Sequence, residues 1–207
     1  TAPEVSQVFG ELLGLWGLDF WMKSGPWAEF NLVELGPGRG TLMRDIAHSV
    51  KMHPAYLQSA HLHLLETSPV LQEKQNQTLS KVLGDTTPCH WHTNINDLLK
   101  ACHGMPVIIY ANEFFDALPI RQFVQENGMW KLKCVDVKDS ELVPVTITDI
   151  SLTDNLPAAQ NFKHGDILET SPQAEAIMTQ LANYVADNDG ALLMIDYGYT
   201  QNQPGDT

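Results

Sequence analysis

Apolar positions along this chain keep two rhythms, and the switches between them mark the elements. Val5, Val8, Phe9, Leu12, Leu13, Trp16 and Phe20 recur at helical spacing, which predicts a long helix that buries one face. At its head, TAPE (1–4) reads as a capping box, Thr1 with Glu4, carrying Pro3 in the first turn. A chain rarely begins on its own helix cap, so residues upstream of Thr1 are expected in the whole protein. The rhythm then changes: FNLVELG (30–36) is a buried strand, followed after a glycine turn by a helix in TLMRDIAHSVKMH (41–53). HLHLLE (61–66) predicts a second strand, and SPVLQEKQNQTLSKVL (68–83) a helix opened by Ser68 with Pro69 in its first position. CHWHT (89–93) and PVIIYANE (106–113) supply a third and a fourth strand. Apolar strands alternating with helices predict an α/β fold, a mostly parallel sheet with helices on both faces.

After NEFFDALPI (112–120) the pattern turns antiparallel. RQFVQE (121–126) and MWKLKCVDV (129–137) flank Asn127-Gly128, the signature of a type I′ hairpin, and ELVPVTIT (141–148) offers a further strand. A β-rich insertion over about residues 119–165 of a single domain is therefore expected. At Ser171-Pro172 a helix begins again and runs to about Asp187, and ALLMIDYG (191–198) predicts a last buried strand.

Composition changes this picture by exclusion. The chain has 207 residues, 43% hydrophobic and 18% charged, the shares of a soluble globular protein. No apolar run approaches the roughly 18 residues that span a bilayer, and the first residues show no signal-peptide pattern. With 25 acids against 12 bases the net charge is −13, which repels a phosphate backbone and favours a basic protein segment over nucleic acid as partner. Cys89, Cys102 and Cys134 are odd in number and widely spaced, so they form neither a disulfide framework nor a CxxC metal site, and a reducing compartment fits.

Candidate chemistry gathers at the ends of the predicted strands. Gly36, Gly38 and Gly40 occupy the first strand-to-helix turn, where ligands of open parallel sheets sit. The dinucleotide fingerprint G-x-G-x-x-G is missed by one residue, since Thr41 stands at its third glycine. Glu34 just before the turn would repel a pyrophosphate but favours a ligand carrying an ammonium and a sulfonium, such as S-adenosylmethionine. The carboxylate of that ligand can face the helix N-terminus. Glu66 closes the second strand, where an acid can accept both ribose hydroxyls of an adenosine. At the end of the fourth strand Asn112, Glu113 and Asp116 set an amide and two carboxylates beside Phe114 and Phe115. Paired acids suit a guanidinium acceptor, which they bind bidentately and whose proton they receive during methyl transfer.

At these residues the sequence resembles the MidA-like S-adenosylmethionine-dependent methyltransferases, a family that includes mitochondrial complex I assembly methyltransferases. TAPEVSQVFGELLGLW, LVELGPGRGTLMRDI, LLETSPVLQEKQ, ANEFFDALPIRQF and ALLMIDYGY carry the resemblance, across nearly the whole chain. It implies a seven-stranded class I methyltransferase sheet, S-adenosylmethionine as cofactor, and methylation of protein arginine. In the mitochondrial members the target is a core subunit of NADH:ubiquinone oxidoreductase, dimethylated symmetrically during assembly. Carried onto this sequence, Glu34, Gly36, Pro37, Gly38 and Gly40 match the cofactor loop, Glu66 is the ribose acid, and Asn112, Glu113 and Asp116 match the active-site motif, Asn112 as a cofactor contact and the two acids as the catalytic pair. Phe114, Phe115 and Tyr197 border the acceptor, with a buried tyrosine of satisfied hydroxyl as the other reading of Tyr197. Members of the family extend beyond both ends of this chain. A bacterial member would work in the cytoplasm and a eukaryotic one in the mitochondrial matrix.

Two other readings stay open at this level: a cofactor-binding assembly chaperone without turnover, and a nicotinamide oxidoreductase. Intact Glu113 and Asp116 weigh against the first, the glycine spacing and Glu34 against the second. His61, His63, His90 and His92 fall on one face of two strands expected to be neighbours, as a metal site or, ten times more commonly, as half-covered surface histidines. Trp91 alternates to the opposite face and is expected in the core.

Overall fold

Strand pairing sorts this chain into two sheets. The computed structural model describes residues 2–84, 87–154 and 156–198. The described residues fold as two compact units, one drawn from Thr1–Ala117 with Ile177–Tyr197 and a second drawn from Leu118–Ala176.

Five parallel strands carry the first unit: β1 (Phe30–Leu35), β2 (Ala60–Leu65), β3 (Cys89–His92), β4 (Val107–Asn112) and β9 (Gly190–Ile195), in the order β3-β2-β1-β4-β9. Central β1 is buried at every position, which is why its sequence is a continuous run rather than an alternation. The chain leaves β1 toward β2 and β3 on one side and returns to β4 and β9 on the other. The carboxyl ends of β1 and β4 therefore form the topological switch point, where open α/β sheets bind ligands. Five of the seven strands implied by the resemblance occur among the described residues. Strand β9, expected to be buried, is half-exposed along most of its length, and among the described residues it has a neighbour, β4, on one side only.

After the short α1 (Ala2–Val5), helices α2 (Gln7–Lys23), α3 (Thr41–Ser49), α4 (Pro54–Gln58) and α5 (Pro69–Leu83) contribute to the unit's main core, on the sheet face that presents Phe30, Leu32, Leu62, Leu64, Ile108 and Tyr110. Across the sheet lies α6 (Ile95–Ala101), where Asn31 donates from Nδ2 to the Cys102 carbonyl at 3.0 Å. The later turns of α7 (Pro172–Asn188) join it there, the Tyr184 hydroxyl donating to the same carbonyl at 3.1 Å. Ser68 caps α5 as its sequence suggests, accepting from the Leu71 N–H, with Pro69 in the first turn.

The first helix departs from its pattern in two ways. It is broken at Ser6, whose φ of −147° is extended, and Thr1, half of the expected capping box, lies outside the described residues. Glu4 instead accepts a hydrogen bond from Thr41 Oγ1 at 2.7 Å, tying α1 to the start of α3. The buried face of α2 is led by glycines rather than by the apolar stripe: Gly10, Gly14, Gly17, Leu18 and Trp21 are buried, while Val5, Val8 and Leu12 are exposed. A Cβ on Gly10 would stand 2.6 Å from Asp45 Cβ, and one on Gly14 2.9 Å from the Ile46 carbonyl oxygen, so these glycines let α2 lie directly on α3. Phe9, Leu13, Trp16 and Phe20 of the apolar stripe are half-buried and pack against the core beside the glycines, so the stripe flanks the buried face and hydropathy, which does not count a glycine as a core residue, misses its centre.

In the second unit β5 (Arg121–Glu126), β6 (Met129–Lys138), β7 (Glu141–Ile147) and β8 (Ile167–Thr170) pair antiparallel in the order β7-β6-β5-β8. Asn127 and Gly128 turn between β5 and β6 with φ of 53° and 79°, the left-handed pair a type I′ hairpin requires. Phe123, Trp130 and Ala159 centre a small core, and the Trp130 indole donates to the Pro157 carbonyl at 2.7 Å. Among the described residues no helix is long and apolar enough to cross a membrane.

Candidate functional site

The switch point is built from two turns. The first follows β1: the Gly36 N–H donates to the Leu65 carbonyl at 3.1 Å, and the Gly40 N–H closes the turn on the Pro37 carbonyl at 2.8 Å. Gly38 has φ of 53°, and a Cβ added there would meet nothing within 4 Å. Its neighbourhood is open, as a backbone approached by a ligand must be. Gly40 precedes α3 at φ 78°, with the Gln75 backbone only 3.3 Å from where its Cβ would be.

Glu34 lies under this turn rather than in front of it. It is 3% exposed, its carboxylate accepts the Met43 N–H from the first turn of α3, and Oε2 has no partner. Burial raises its pKa from 4.5 to about 8, and the Met43 N–H offsets part of that rise. One oxygen thus satisfies a helix N-terminus that glycine cannot cap with a side chain, and one stays free.

Glu66, just past β2, is held at both oxygens. Oε1 accepts the Ser68 N–H at 2.8 Å and Oε2 accepts from Gln75 Nε2 at 3.2 Å. Gln75 was not singled out from the sequence. Its single clue is a glutamine on the buried face of α5, and its role depends on partners far away in the chain.

The second turn follows β4. Glu113 has φ of 48°, uncommon for a residue with a Cβ, and its N–H donates to the Ile195 carbonyl of β9 at 2.8 Å. Buried Asn112 Oδ1 has no partner. Phe114 and Phe115 meet edge to face with centroids 5.2 Å apart, and Phe114 Cδ2 lies 3.1 Å from the position of a Gly36 Cβ, which joins the two turns. Asp116 is fixed through its N–H, which donates to Asp196 Oδ2 at 3.1 Å, while Asp196 Oδ1 accepts the Tyr197 N–H at 2.9 Å. Partial burial, followed by the negative charges of Asp196 and Glu113, raises the Asp116 pKa above the usual carboxylate value. Asp196 escaped sequence reasoning because it sits about 80 residues from the acids it joins. Tyr197 is 82% exposed, which removes its reading as a buried tyrosine.

The histidine face is partly assembled. His63 is 4% exposed, its Nδ1 is 2.9 Å from His92 Nε2, and the rings of His90 and His92 stack on it at 5.3 and 5.2 Å. Burial first, then His92 and His90, push His63 down from 6.5 to about 3. Among the described residues no group of three or more His, Cys, Asp or Glu is arranged to hold a metal ion. Trp91 is part-buried on the opposite face and donates its indole N–H to Gln75 Oε1 at 2.8 Å.

A parallel sheet in this order, with a glycine turn after its first strand, defines a Rossmann-like nucleotide-binding class of α/β fold. Residues 12–207 match the family described as "Putative S-adenosyl-L-methionine-dependent methyltransferase", and the chain belongs to that family. It is 33% identical over 221 residues to the mitochondrial protein arginine methyltransferase NDUFAF7 of Homo sapiens, covering 96% of this chain and 49% of that protein. With the Drosophila melanogaster homologue it shares 31% over 224 residues, covering 96% and 50%. The chain therefore spans about half the length of these relatives. Among solved structures, a Burkholderia thailandensis protein bound to S-adenosyl-homocysteine superposes with a TM-score of 0.75 at 20% identity, over 96% of this chain and 49% of that one, a likeness of fold.

Proposed function

We propose that this chain is the cofactor-binding portion of a protein arginine methyltransferase. In this reading Glu34, Gly36, Pro37, Gly38, Gly40, Glu66 and Asn112 hold S-adenosylmethionine, and Glu113 and Asp116 receive the acceptor guanidinium between Phe114, Phe115 and Tyr197. The observation that carries it is the turn after β4, where two acids held by hydrogen bonds to β9 and to Asp196 stand beside the glycine turn. The residues fit the cofactor: Gly38 leaves its surroundings open, and Asn112 Oδ1 and, once ionised, Glu34 Oε2 are buried acceptors without a donor, the kind of atom an ammonium satisfies.

When bound, the cofactor supplies a methyl group on a sulfonium, which departs as a neutral thioether once its C–S bond has broken. The chain's residues do the rest. Glu113 and Asp116 bind a guanidinium that is protonated at every accessible pH, orient one nitrogen, and take the proton that nitrogen loses as its N–C bond forms. Phe114 and Phe115 exclude water from the transfer.

The relatives' names support arginine as acceptor and, for a eukaryotic source, the mitochondrion as its place; for a bacterial source the reading is cytoplasmic. The finer reading is symmetric dimethylation of an arginine in a respiratory complex I subunit during assembly. A net charge of −13 suits a basic acceptor segment. The test uses the full-length protein with Glu113→Gln and Asp116→Asn, which keep size and remove charge. Calorimetry is expected to show cofactor binding retained, while labelled methyl transfer to arginine, located by peptide mapping of the complex I subunits, falls by about a hundredfold or more. Variants that fold, bind and methylate at the parent rate would overturn the carboxylate mechanism. A parent that binds cofactor and methylates nothing would favour an assembly chaperone.

A further inference from the structure

Gln75 is a fully buried polar side chain, 0% exposed, in the middle of α5. Its amide orientation is fixed by chemistry: an indole N–H only donates, so the atom facing Trp91 must be Oε1, and Nε2 must point the other way. There its two hydrogens have two acceptors, the Gly38 carbonyl at 2.9 Å and Glu66 Oε2 at 3.2 Å. The three partners belong to three successive segments, the turn after β1, the residue after β2, and β3 itself. A leucine or methionine would fill the same volume without the desolvation cost of an amide, so packing alone does not account for a glutamine here.

We propose that Gln75 is the positioning residue of the cofactor site, setting the Gly38 peptide and the Glu66 carboxylate in the geometry that S-adenosylmethionine requires, with Trp91 holding the amide in register. The inference rests on the reading of these turns as the cofactor site. Among the described residues the Glu66 carboxylate is otherwise held by the Ser68 N–H at Oε1. Gln75 on Oε2 stops its terminal rotation, and each oxygen keeps a lone-pair direction for a hydroxyl donor. At Gly38 the same amide fixes a peptide that lacks side-chain packing of its own.

The experiment titrates S-adenosylhomocysteine into the parent and into Gln75→Met, Gln75→Glu and Trp91→Phe at pH 8 and pH 5.5, with thermal melts to count folded molecules. Gln75→Met loses both donations, and binding is expected to weaken about thirtyfold relative to the parent at either pH. Gln75→Glu is expected to bind more weakly at pH 8 than at pH 5.5, where it recovers to within about fivefold of the parent, because the introduced carboxyl donates once protonated. Trp91→Phe, which keeps the aromatic packing and frees the amide to flip, should weaken binding about three- to tenfold. A purely structural glutamine would lower melting temperatures while leaving affinity per folded molecule, and its ratio between the two pH values, unchanged. That result overturns the proposal. If the Gln75 variants do not fold, parent-like binding by Trp91→Phe overturns it equally. Failure of the parent itself to bind would remove the cofactor reading and this proposal together, whereas a binding parent with indifferent variants removes only the role of Gln75.

Discussion

Glu34→Gln should change how stability depends on pH more than it changes stability at any one pH. The carboxyl is 3% exposed with one oxygen unpartnered, and its pKa rises from 4.5 in the unfolded chain to about 8 in the fold. A raised acid makes the folded state the stronger proton binder. Its contribution is whole below pH 4.5 and is lost progressively until pH 8. Each pH unit inside that window costs about 1.4 kcal/mol, so from pH 5 to pH 7 the parent should lose about 2.5 kcal/mol that the variant keeps. The amide retains an oxygen for the Met43 N–H but buries an NH₂ without an acceptor, a fixed cost of about 1–3 kcal/mol that shifts the whole curve and leaves its slope alone. Urea denaturation of both proteins at half-unit steps from pH 4.5 to 8.5 isolates the effect, since every other titrating group cancels in the difference. A parent-minus-variant difference constant to within about 0.5 kcal/mol would refute the reasoning and mean that Glu34 is hydrated and ionised in the fold.

Three further expectations concern separate parts of the molecule. Glu66→Ala should weaken S-adenosylhomocysteine binding by about 1–3 kcal/mol with the fold intact, measured by calorimetry and circular dichroism; unchanged affinity would mean that the adenosine lies elsewhere. Gly38→Val should abolish binding, because a β-branched residue is strained at φ 53° and its side chain enters the open space beside the turn; calorimetric affinity within about threefold of the parent would remove the loop from the site. His63, lowered to about 3 from 6.5, makes the unfolded state the stronger proton binder between those values. Its contribution is present above pH 6.5 and is lost as pH falls, by about 2 kcal/mol at pH 5. His63→Leu should flatten the acid limb of the urea-denaturation profile, and an unchanged limb would mean that another group causes acid unfolding.

The parallel sheet was legible because its central strands are buried on both faces and therefore read as unbroken apolar runs, and the hairpin because Asn127-Gly128 permits few other conformations. Helix α6 was not foreseen, although Asn94 caps it by accepting the Asp97 N–H at 2.9 Å, since seven residues are too short a stretch for periodicity to register. Strand β8 has four residues and pairs with β5 across 43 to 49 positions, Val124 with Ile167 to Arg121 with Thr170, so it has no local signature. The candidate site was legible at strand ends, where turns and acids lie in sequence order. Gln75 and Asp196 were not, because each acts through residues that only folding brings near. Glu34 could be found but not interpreted, since its burial beneath α3 depends on how closely that helix lies on β1.

The glycine face of α2 also constrains the order in which the first unit acquires structure. Three glycines in a 17-residue helix cost together about 3 kcal/mol relative to alanine, enough to leave the isolated segment essentially unstructured in water. The segment gains its helical hydrogen bonds only when it settles on α3 and on the tyrosines Tyr56 and Tyr110, whose hydroxyls stand where a Gly17 side chain would be. It is a follower in folding, recruited by a surface that must already exist, and its amides should exchange with solvent as one group whenever that surface lets go.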